Sequence, residues 1–313
     1  MPRPGQSLCI TLRISYQPRD RSYTEFKVMK DDQPQIPTPF QATLVIIASL
    51  LFSIIFAELI LFPFMPDDPA SLEGSPIVKL VLVLGETGLI ILPLLFLKRR
   101  GFPIKAIFRW NPVNRHVVLM AIILGFAMTI VGDELDRLIN IIFTPPEFLE
   151  QLEASLKISS VLDLILLFIG TVIIASVVEE SVFRGFFQVT LENYQNVTKA
   201  VIYSSIFWAL IHGVLFWAVQ IFLMGVILGF LAWRTKSIIP SAICHAINNG
   251  MALFFTNGGD TAGGSMFYSI YEWRGHVSPL ILIPAVIILV KGIQILDRYY
   301  FKGYSSPSSN GSE

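Results

Sequence analysis

Long apolar runs decide what this chain can fold into. A helix that crosses a bilayer needs roughly 20 mostly apolar residues, and about 17 is the practical minimum. Scanning the sequence for such runs predicts eight spans, at residues 40–62, 77–97, 116–132, 161–179, 199–217, 218–233, 238–256 and 278–296. The fifth and sixth runs adjoin without a polar break, so seven spans are the alternative. The sequence therefore predicts an all-α, polytopic membrane protein.

Composition agrees with a bilayer environment. Of the 313 residues, 53% are hydrophobic and 15% are charged, whereas soluble domains carry about 25% charged residues. The formal net charge is zero, so no nucleic-acid partner is expected. Cys9 lies in a polar tail and Cys244 in an apolar run, so no disulfide is expected between them.

The distribution of positive charge predicts the orientation in the membrane. Short cytoplasmic loops carry an excess of Lys and Arg. The basic residues after the second span are Lys98, Arg99, Arg100, Lys105, Arg109 and Arg115. The acidic residues after the third span are Asp133, Glu134, Glu147 and Glu150. With eight spans, both termini are predicted to lie in the cytoplasm.

Three apolar segments in the second half of the chain carry ionisable or amide side chains. Each ionisable group within a span costs roughly 2.5–3.5 kcal/mol on insertion scales and marks a functional site by default. The side chains are Glu179, Glu180 and Arg184 in segment 171–188, His212 in segment 203–213, and His245, Asn248 and Asn249 in segment 238–250. Such a set on three successive segments favours one shared site.

Helical geometry sorts these side chains by face. Arg184 lies four residues after Glu180, so the two can pair on one helix face. Glu179 is rotated by about 100° from Glu180 and is free to face another neighbour. His212 follows Trp208, and Asn249 follows His245, by the same interval of four. We therefore expect about eight helices to enclose a polar catalytic cavity that receives a carboxylate, two imidazoles and a carboxamide.

These groups suit hydrolysis. A carboxylate can take a proton from water, while neutral imidazoles can bind a metal or donate to an oxyanion, and a carboxamide can donate as well. The set Glu179, His212 and His245 also matches a common catalytic zinc set with an open position for water. A zinc-bound water and a glutamate-activated water are therefore both open.

Other interpretations stay open on the residues alone. Adjacent glutamates can cap a helix at the interface, a single histidine can be a packing residue, and histidine with asparagine can link two helices. An ion- or proton-coupled membrane transporter could bind its cargo with Glu179, His212 and His245, although no inverted repeat is visible. A catalytically silent membrane scaffold or immunity protein is the third interpretation.

Three motifs carry a resemblance to a known family. The stretches Glu179-Glu180-x-x-x-Arg184, Trp208-x-x-x-His212 and His245-x-x-x-Asn249 resemble the motifs of the CAAX protease and bacteriocin-processing (CPBP) family of intramembrane peptidases. The intervening MGVILGFLAWRTKSIIPSAICHAINN also resembles that family, and the resemblance covers roughly residues 160–256. Trp208 stands where the family commonly has Phe, which adds an indole N–H that needs a partner.

The resemblance implies a role for each residue. Glu179 would be the general base that activates water, helped by His212. His245 and Asn249 would stabilise the oxyanion of the tetrahedral intermediate.

The remaining pair, Glu180 and Arg184, would be structural and would orient the first helix of the core. Members of the family are usually labelled metalloproteases and have also been interpreted as metal-free, glutamate-dependent enzymes. One divalent metal, zinc, is thus the alternative to a metal-free site. Asn is a poor zinc ligand and a good oxyanion donor, which favours the metal-free mechanism.

The resemblance also implies substrates and a domain organisation. The substrate would be a peptide or protein, either a prenylated C-terminal peptide or a signal or bacteriocin-like peptide, met beside membrane lipid. The predicted segments are a polar cytoplasmic tail (1–38), N-terminal spans with a basic loop and an interfacial segment (39–159), a CPBP-like catalytic core (160–256), a loop with the last span (257–304) and a disordered tail (305–313).

Overall fold

A computed structural model of the chain describes residues 36–64, 75–258 and 262–305. All of these described residues belong to one compact unit. Most of the predicted N-terminal tail and all but the first residue of the predicted C-terminal tail therefore lie outside the described residues.

Helices make up nearly all of the described chain. They are α1 (Pro39–Leu61), α2 (Pro76–Leu89), α3 (Ile91–Arg100), α4 (Ile104–Ile107), α5 (Arg115–Ile142), α6 (Phe148–Ser155), α7 (Val161–Tyr194), α8 (Val197–Ile211), α9 (Ala218–Thr235), α10 (Ile239–Gly258), α11 (Ala262–Tyr271) and α12 (Pro279–Ser305). Two-residue strands β1 (Glu272–Trp273) and β2 (His276–Val277) form an antiparallel hairpin, and Phe62–Phe64 and Leu215–Trp217 are single 3₁₀ turns. The all-α prediction is confirmed.

The predicted number of spans is wrong. Within the described residues, six helices are long and apolar enough to cross a membrane, not eight: Pro39–Phe64, Pro76–Arg100, Arg115–Ile142, Val161–Tyr194, Ala218–Thr235 and Pro279–Phe301. The predicted fifth span became α8, whose 15 residues extend about 22 Å, against a hydrocarbon core of about 30 Å. The predicted seventh span became α10, whose histidine and three asparagines lower its hydropathy. Six apolar helices still make the chain a multi-pass integral membrane protein.

The third span is longer than predicted. Residues 133–142 continue α5 instead of starting a separate interfacial helix, and Pro145 and Pro146 then separate α5 from the short α6. Asp133 and Arg137 pair at 3.0 Å within this extension, at the i,i+4 spacing that stabilises a helix. Asp133 and Glu134 are therefore part of a helix that passes the polar cavity, whereas Glu147 and Glu150 lie beyond its end.

Polar side chains fix where several helices begin. Thr38 Oγ1 accepts from the backbone of Gln41, and the Gln41 side chain accepts from Thr38 in return, which forms a capping box ahead of Pro39. Single N-cap side chains start three other helices: Asn114 for α5, Ser160 for α7 and Asn196 for α8.

Helix α7 has 34 residues and contains two π-helical stretches. Its α-helical turns are Val161–Leu167, Ala175–Glu180 and Gln188–Tyr194, and π-helical stretches separate them at Phe168–Ile174 and Ser181–Phe187. Such π segments are wider than an α-helix and are frequent at functional sites. Here they flank the turn that carries Glu179 and Glu180.

Helix α10 lies among the helices that carry the polar motifs. It packs against α5, α7 and α9, while α8 and α9 pack against each other. The three segments that carry the motifs therefore lie close to one another in the helix bundle.

Candidate active site

A polar cavity of about 400 Å³ opens between α5, α7, α9 and α10. The four side chains predicted to be catalytic, Glu179, His212, His245 and Asn249, all line it. They come from two helices, α7 and α10, and from the end of a third, α8, so the structure brings together residues that are up to 70 positions apart in the chain. The expected convergence on one cavity is observed.

Glu179 lies at the wall of this cavity and is only 8% exposed. Its Oε2 atom accepts a 2.5 Å hydrogen bond from the indole N–H of Trp208. The Nε2 atom of His212 lies 3.8 Å from the same oxygen. This distance is too long for a direct hydrogen bond, and it is a separation that a bridging water can span.

The tautomer of His212 follows from its second contact. Its Nδ1 atom lies 2.7 Å from the backbone carbonyl oxygen of Trp208. Because a carbonyl oxygen only accepts, Nδ1 carries a proton, and Nε2 of the neutral ring keeps its lone pair toward Glu179. His212 lies at the end of α8 and is the more exposed of the two histidines.

Glu180 is fully buried and holds two partners. Its Oε1 atom lies 3.0 Å from Arg184 Nη1 and 3.3 Å from His245 Nδ1. The first contact is the i,i+4 pairing expected from the spacing. The second joins α7 to α10 and was not expected; it fixes the imidazole ring and leaves Nε2 of His245 for the cavity.

Asn249 is fixed by the first π-helical stretch. Its Nδ2 atom donates to the carbonyl oxygen of Thr171 at 2.8 Å. A carboxamide carries two N–H donors, so one remains for a ligand in the cavity. The adjacent Asn248 also lines the cavity, and its Oδ1 atom lies 3.4 Å from the hydroxyl of Thr129.

Trp208 is completely buried behind these groups. The guanidinium carbon of Arg184 lies 4.0 Å from the centre of its ring system. The rings of His212 and His245 meet it edge-on, with centroids 5.0 Å and 5.4 Å away. The partner that its indole N–H was expected to need is Glu179.

The segment that carries the three motifs matches a family model. A family model described as type II CAAX prenyl endopeptidase Rce1-like matches residues 161–251. This segment belongs to the CAAX protease family. The CAAX protease segment begins with α7 and ends within α10, so it contains all three motifs and excludes α5. Membership indicates an intramembrane endopeptidase of the CAAX type that acts on a peptide or protein. Comparison with curated proteins and with solved structures finds no match.

Several residues near the candidate site were not singled out from the sequence. Thr129, Asp133 and Asp136 of α5 line the cavity, and Glu86 of α2 interacts electrostatically with Glu179. Glu86 could have been found, because it is a lone carboxylate inside a predicted span. The two aspartates could not, because they were assigned to a segment outside the membrane.

The rim of the cavity is joined to the segment that precedes α12. The phenol of Tyr271 donates to Asp133 Oδ2 at 2.9 Å, and Arg137 Nη1 lies 3.2 Å from Glu272. Burial and the nearby Asp133 carboxylate raise the pKa of Tyr271, so the phenol stays protonated as a donor. These contacts hold α11 and the β-hairpin against α5 beside the cavity.

Zinc requires three or more protein ligands that point to one position. Among the described residues, no three His, Cys, Asp or Glu side chains are grouped so that they could hold a metal ion. His245 turns Nδ1 to Glu180, and His212 lies 3.8 Å from Glu179, so the set Glu179, His212 and His245 does not form a ligand triangle here. The residues as placed do not fit the metal.

Proposed function

We propose that the chain is an intramembrane endopeptidase in which Glu179 and His212 activate a water molecule. The observation that supports this most directly is the pair of facing acceptors, Glu179 Oε2 and His212 Nε2, 3.8 Å apart at the wall of a polar cavity. A water that donates to both atoms would be held with its lone pair toward the cavity, where a peptide carbonyl can approach.

The proton transfers balance with these residues alone. Glu179 takes one proton from the water as the water oxygen forms a bond to the carbonyl carbon. The tetrahedral intermediate then collapses, the carbon–nitrogen bond breaks, and Glu179 returns the proton to the leaving amine. His212 stays neutral, with Nδ1 donating to the carbonyl of Trp208, and orients the water through Nε2.

Two donors on α10 stabilise the oxyanion in this proposal. Asn249 donates the N–H that its contact with Thr171 leaves free, and His245, whose Nδ1 donates to Glu180, donates from Nε2 as the doubly protonated ring. Both side chains are therefore oriented before substrate binds, which is the condition under which oxyanion donors contribute most to the rate.

For the substrate we propose a peptide with a prenylated C-terminus, which is the class named by the family description. Signal or bacteriocin-like peptides are the alternative class. A peptide backbone at membrane depth needs polar partners, and the cavity provides them.

For the orientation we propose that both termini face the cytoplasm, because the basic residues collect at one end. Asn111 and Lys236, from two basic loops, are joined by a 2.7 Å hydrogen bond, and Arg234 pairs with Asp297 of α12 at 2.7 Å. Acidic residues collect at the other end, where Arg137 meets Glu272. This separation is the pattern that places the basic end in the cytoplasm.

Cleavage by the purified protein tests the proposed activity. Wild type, Glu179→Gln and the surface control Glu147→Gln would be incubated in detergent with a peptide library that includes prenylated peptides. We expect cleavage by wild type and by Glu147→Gln, and none by Glu179→Gln. Equal cleavage by all three would exclude Glu179 as the base, and no cleavage by any would favour a transporter or a scaffold.

Metal dependence is measured on the same preparations. We expect cleavage to persist after chelation and the metal content to stay far below one ion per chain. Loss of cleavage on chelation, restored by zinc, would replace the metal-free mechanism with a zinc-dependent one.

A further inference from the structure

Trp208 contacts four other residues of the candidate site. Its indole N–H donates to Glu179 Oε2 at 2.5 Å, and its backbone carbonyl accepts from His212 Nδ1 at 2.7 Å. Its ring lies between the guanidinium of Arg184, at 4.0 Å, and the edge of His245. One residue therefore connects both members of the proposed water-activating pair.

We propose that Trp208 is the positioning residue of the catalytic base: its indole N–H holds Glu179 Oε2 opposite His212 Nε2. The inference rests on the proposed function, since it specifies how the base of that reaction is held. Trp208 does not reach the reacting atoms and acts only through its two partners.

The hydrogen bond constrains a side chain that is otherwise adjustable. A glutamate carboxylate swings about several rotatable bonds, and bound geometry must be held within a few tenths of an ångström for efficient catalysis. A donor bonded to a charged acceptor in a buried setting gives one of the stronger hydrogen bonds in proteins. Because the N–H binds the same oxygen that faces His212, it fixes the separation of the water-activating pair directly.

Arg184 strengthens this hydrogen bond through the ring. Its guanidinium carbon lies 4.0 Å over the indole, and both side chains are almost wholly buried. A cation over the face of an indole is attracted to its π electrons, and it polarises the N–H so that it donates more strongly. Arg184, which pairs with Glu180, thus also influences Glu179 through the Trp208 ring.

The backbone of Trp208 sets the second partner. Its carbonyl oxygen holds the proton of His212 on Nδ1 and so keeps Nε2 as an acceptor. This contact does not depend on the side chain at position 208. The side chain and the backbone can therefore be separated by mutation.

Trp208→Phe removes the N–H and keeps an aromatic ring for Arg184 and the histidines. Trp233→Phe is the matched control, because Trp233 also lies beside cations, Arg234 at 5.6 Å and Lys236 at 5.9 Å, at the end of α9. Both variants, wild type and Glu179→Gln would be assayed in detergent with the library peptide that wild type cleaves fastest. We expect kcat of Trp208→Phe to fall roughly tenfold or more, with KM unchanged, because the base is no longer held opposite His212; removing the hydrogen-bond partner of a metal ligand, a comparable positioning group, costs about 10–100-fold. Trp233→Phe should match wild type, and all variants should keep the thermal stability of wild type within a few degrees.

A spectroscopic measurement tests the hydrogen bond without any substrate. The protein contains five tryptophans, so selective ¹⁵N-tryptophan labelling gives a small set of indole N–H resonances. The Trp208 resonance is assigned by its loss in Trp208→Phe. We expect it far downfield in wild type and shifted upfield in Glu179→Gln, with the Trp233 resonance unmoved.

The two measurements separate the failure of the inference from the failure of the proposed function. If Glu179→Gln cleaves as wild type does, the proposed base is wrong, and the resonance still decides whether the hydrogen bond exists. If wild type cleaves and Trp208→Phe keeps full kcat, Trp208 does not position the base. A Trp208 resonance that does not respond to Glu179→Gln would overturn the inference whatever the activity.

Discussion

Glu179 and Glu180 are neighbours on α7 with different surroundings. Glu179 faces the cavity and meets Trp208 and His212, whereas Glu180 has no exposed surface and holds Arg184 and His245. Consecutive residues of a helix project about 100° apart. Two adjacent carboxylates can therefore take one role at the cavity wall and another in the protein interior.

The two glutamates should respond differently to neutralisation. Glu180→Gln leaves the charge of Arg184 buried without a counter-charge, which is expected to lower the free energy of unfolding by about 3–5 kcal/mol. It also replaces the charged acceptor of His245 with a neutral one and so weakens that contact, and cleavage should therefore fall as well. Glu179→Gln should abolish cleavage while changing stability far less, because the carboxamide can still accept from Trp208.

Thermal unfolding in detergent and the cleavage rate measure these effects together. The double variant Glu180→Gln with Arg184→Met should recover part of the stability and none of the activity. Equal stability of the two single variants would show that Glu180 does not neutralise Arg184.

Asn249 is expected to act on the transition state more than on substrate binding. Asn249→Ala removes the N–H that we assign to the oxyanion, and loss of one such donor typically costs roughly 100- to 1000-fold in kcat. KM should change little. Asn248→Ala should cost much less, because the Asn248 side chain is directed to Thr129. A large rise in KM for Asn249→Ala with kcat preserved would assign Asn249 to substrate binding.

At the scale of elements, the winding of α7 positions the site. The π-helical stretches at Phe168–Ile174 and Ser181–Phe187 enclose a single α-helical segment, Ala175–Glu180. The first stretch presents the carbonyl of Thr171 to Asn249, and the second carries Arg184 and Gly185. Helix α7 is thus irregular on both sides of the turn that carries Glu179 and Glu180.

The close approach of the second π-helical stretch to the loop before α5 can be tested at Gly185. A Cβ atom at this position would lie 2.8 Å from Phe108 Cα and 2.9 Å from its carbonyl oxygen, and backbone cannot move aside easily. Gly185→Ala is expected to lower the free energy of unfolding by about 1–3 kcal/mol, as overpacking usually does.

Gly250→Ala is the control for this substitution. Its added Cβ would lie 3.7 Å from Val172, which is ordinary contact, and alanine favours a helix by about 1 kcal/mol over glycine. Thermal unfolding of both variants in the same detergent should lower the transition for Gly185→Ala alone. Equal effects would contradict the packing at Phe108.

At the scale of the whole molecule, charge is separated between the two ends. Basic loops meet where Ile238 donates its backbone N–H to the carbonyl of Arg109 at 3.1 Å, and acidic groups gather around Asp133 and Glu272. Apolar side chains in the middle of α1, α5 and α12, such as Leu51, Phe126 and Val290, are exposed. The arrangement is that of a helical protein whose flanks face lipid.

Single cysteines at the two ends test the proposed orientation. Lys105 lies at the basic end and Glu147 at the acidic end, and both are exposed. In a Cys9→Ser background, Lys105→Cys should react with a membrane-impermeant maleimide only in inside-out vesicles, and Glu147→Cys only in right-side-out vesicles. Cys244 is completely buried and should add little background. The reverse pattern would place the termini outside.

The sequence alone determined the fold class and the membrane location, and it predicted four side chains that line the cavity. A long apolar run indicates that a segment lies in the bilayer. The i,i+4 intervals at Glu180–Arg184, Trp208–His212 and His245–Asn249 indicate that the two side chains of each pair lie on the same helix face. Both properties are local, so they can be read without knowing which helices are neighbours. The number of spans was overestimated for two reasons. A run of apolar residues does not show where a helix ends, so the short length of α8 was missed, and the histidine and asparagines of α10 lower its mean hydropathy below that of a span.

Only the tertiary structure decided which groups meet across helices. Glu180 reaches His245 across 65 positions of the chain and Trp208 reaches Glu179 across 29, and neither contact follows from a periodic pattern. The winding of α7 depends on the same packing, since the residues of its π-helical stretches have no separate sequence signal. Local spacing fixes which side chains share a helix face, whereas the packing of helices that are distant in the chain fixes the partners to which those faces turn.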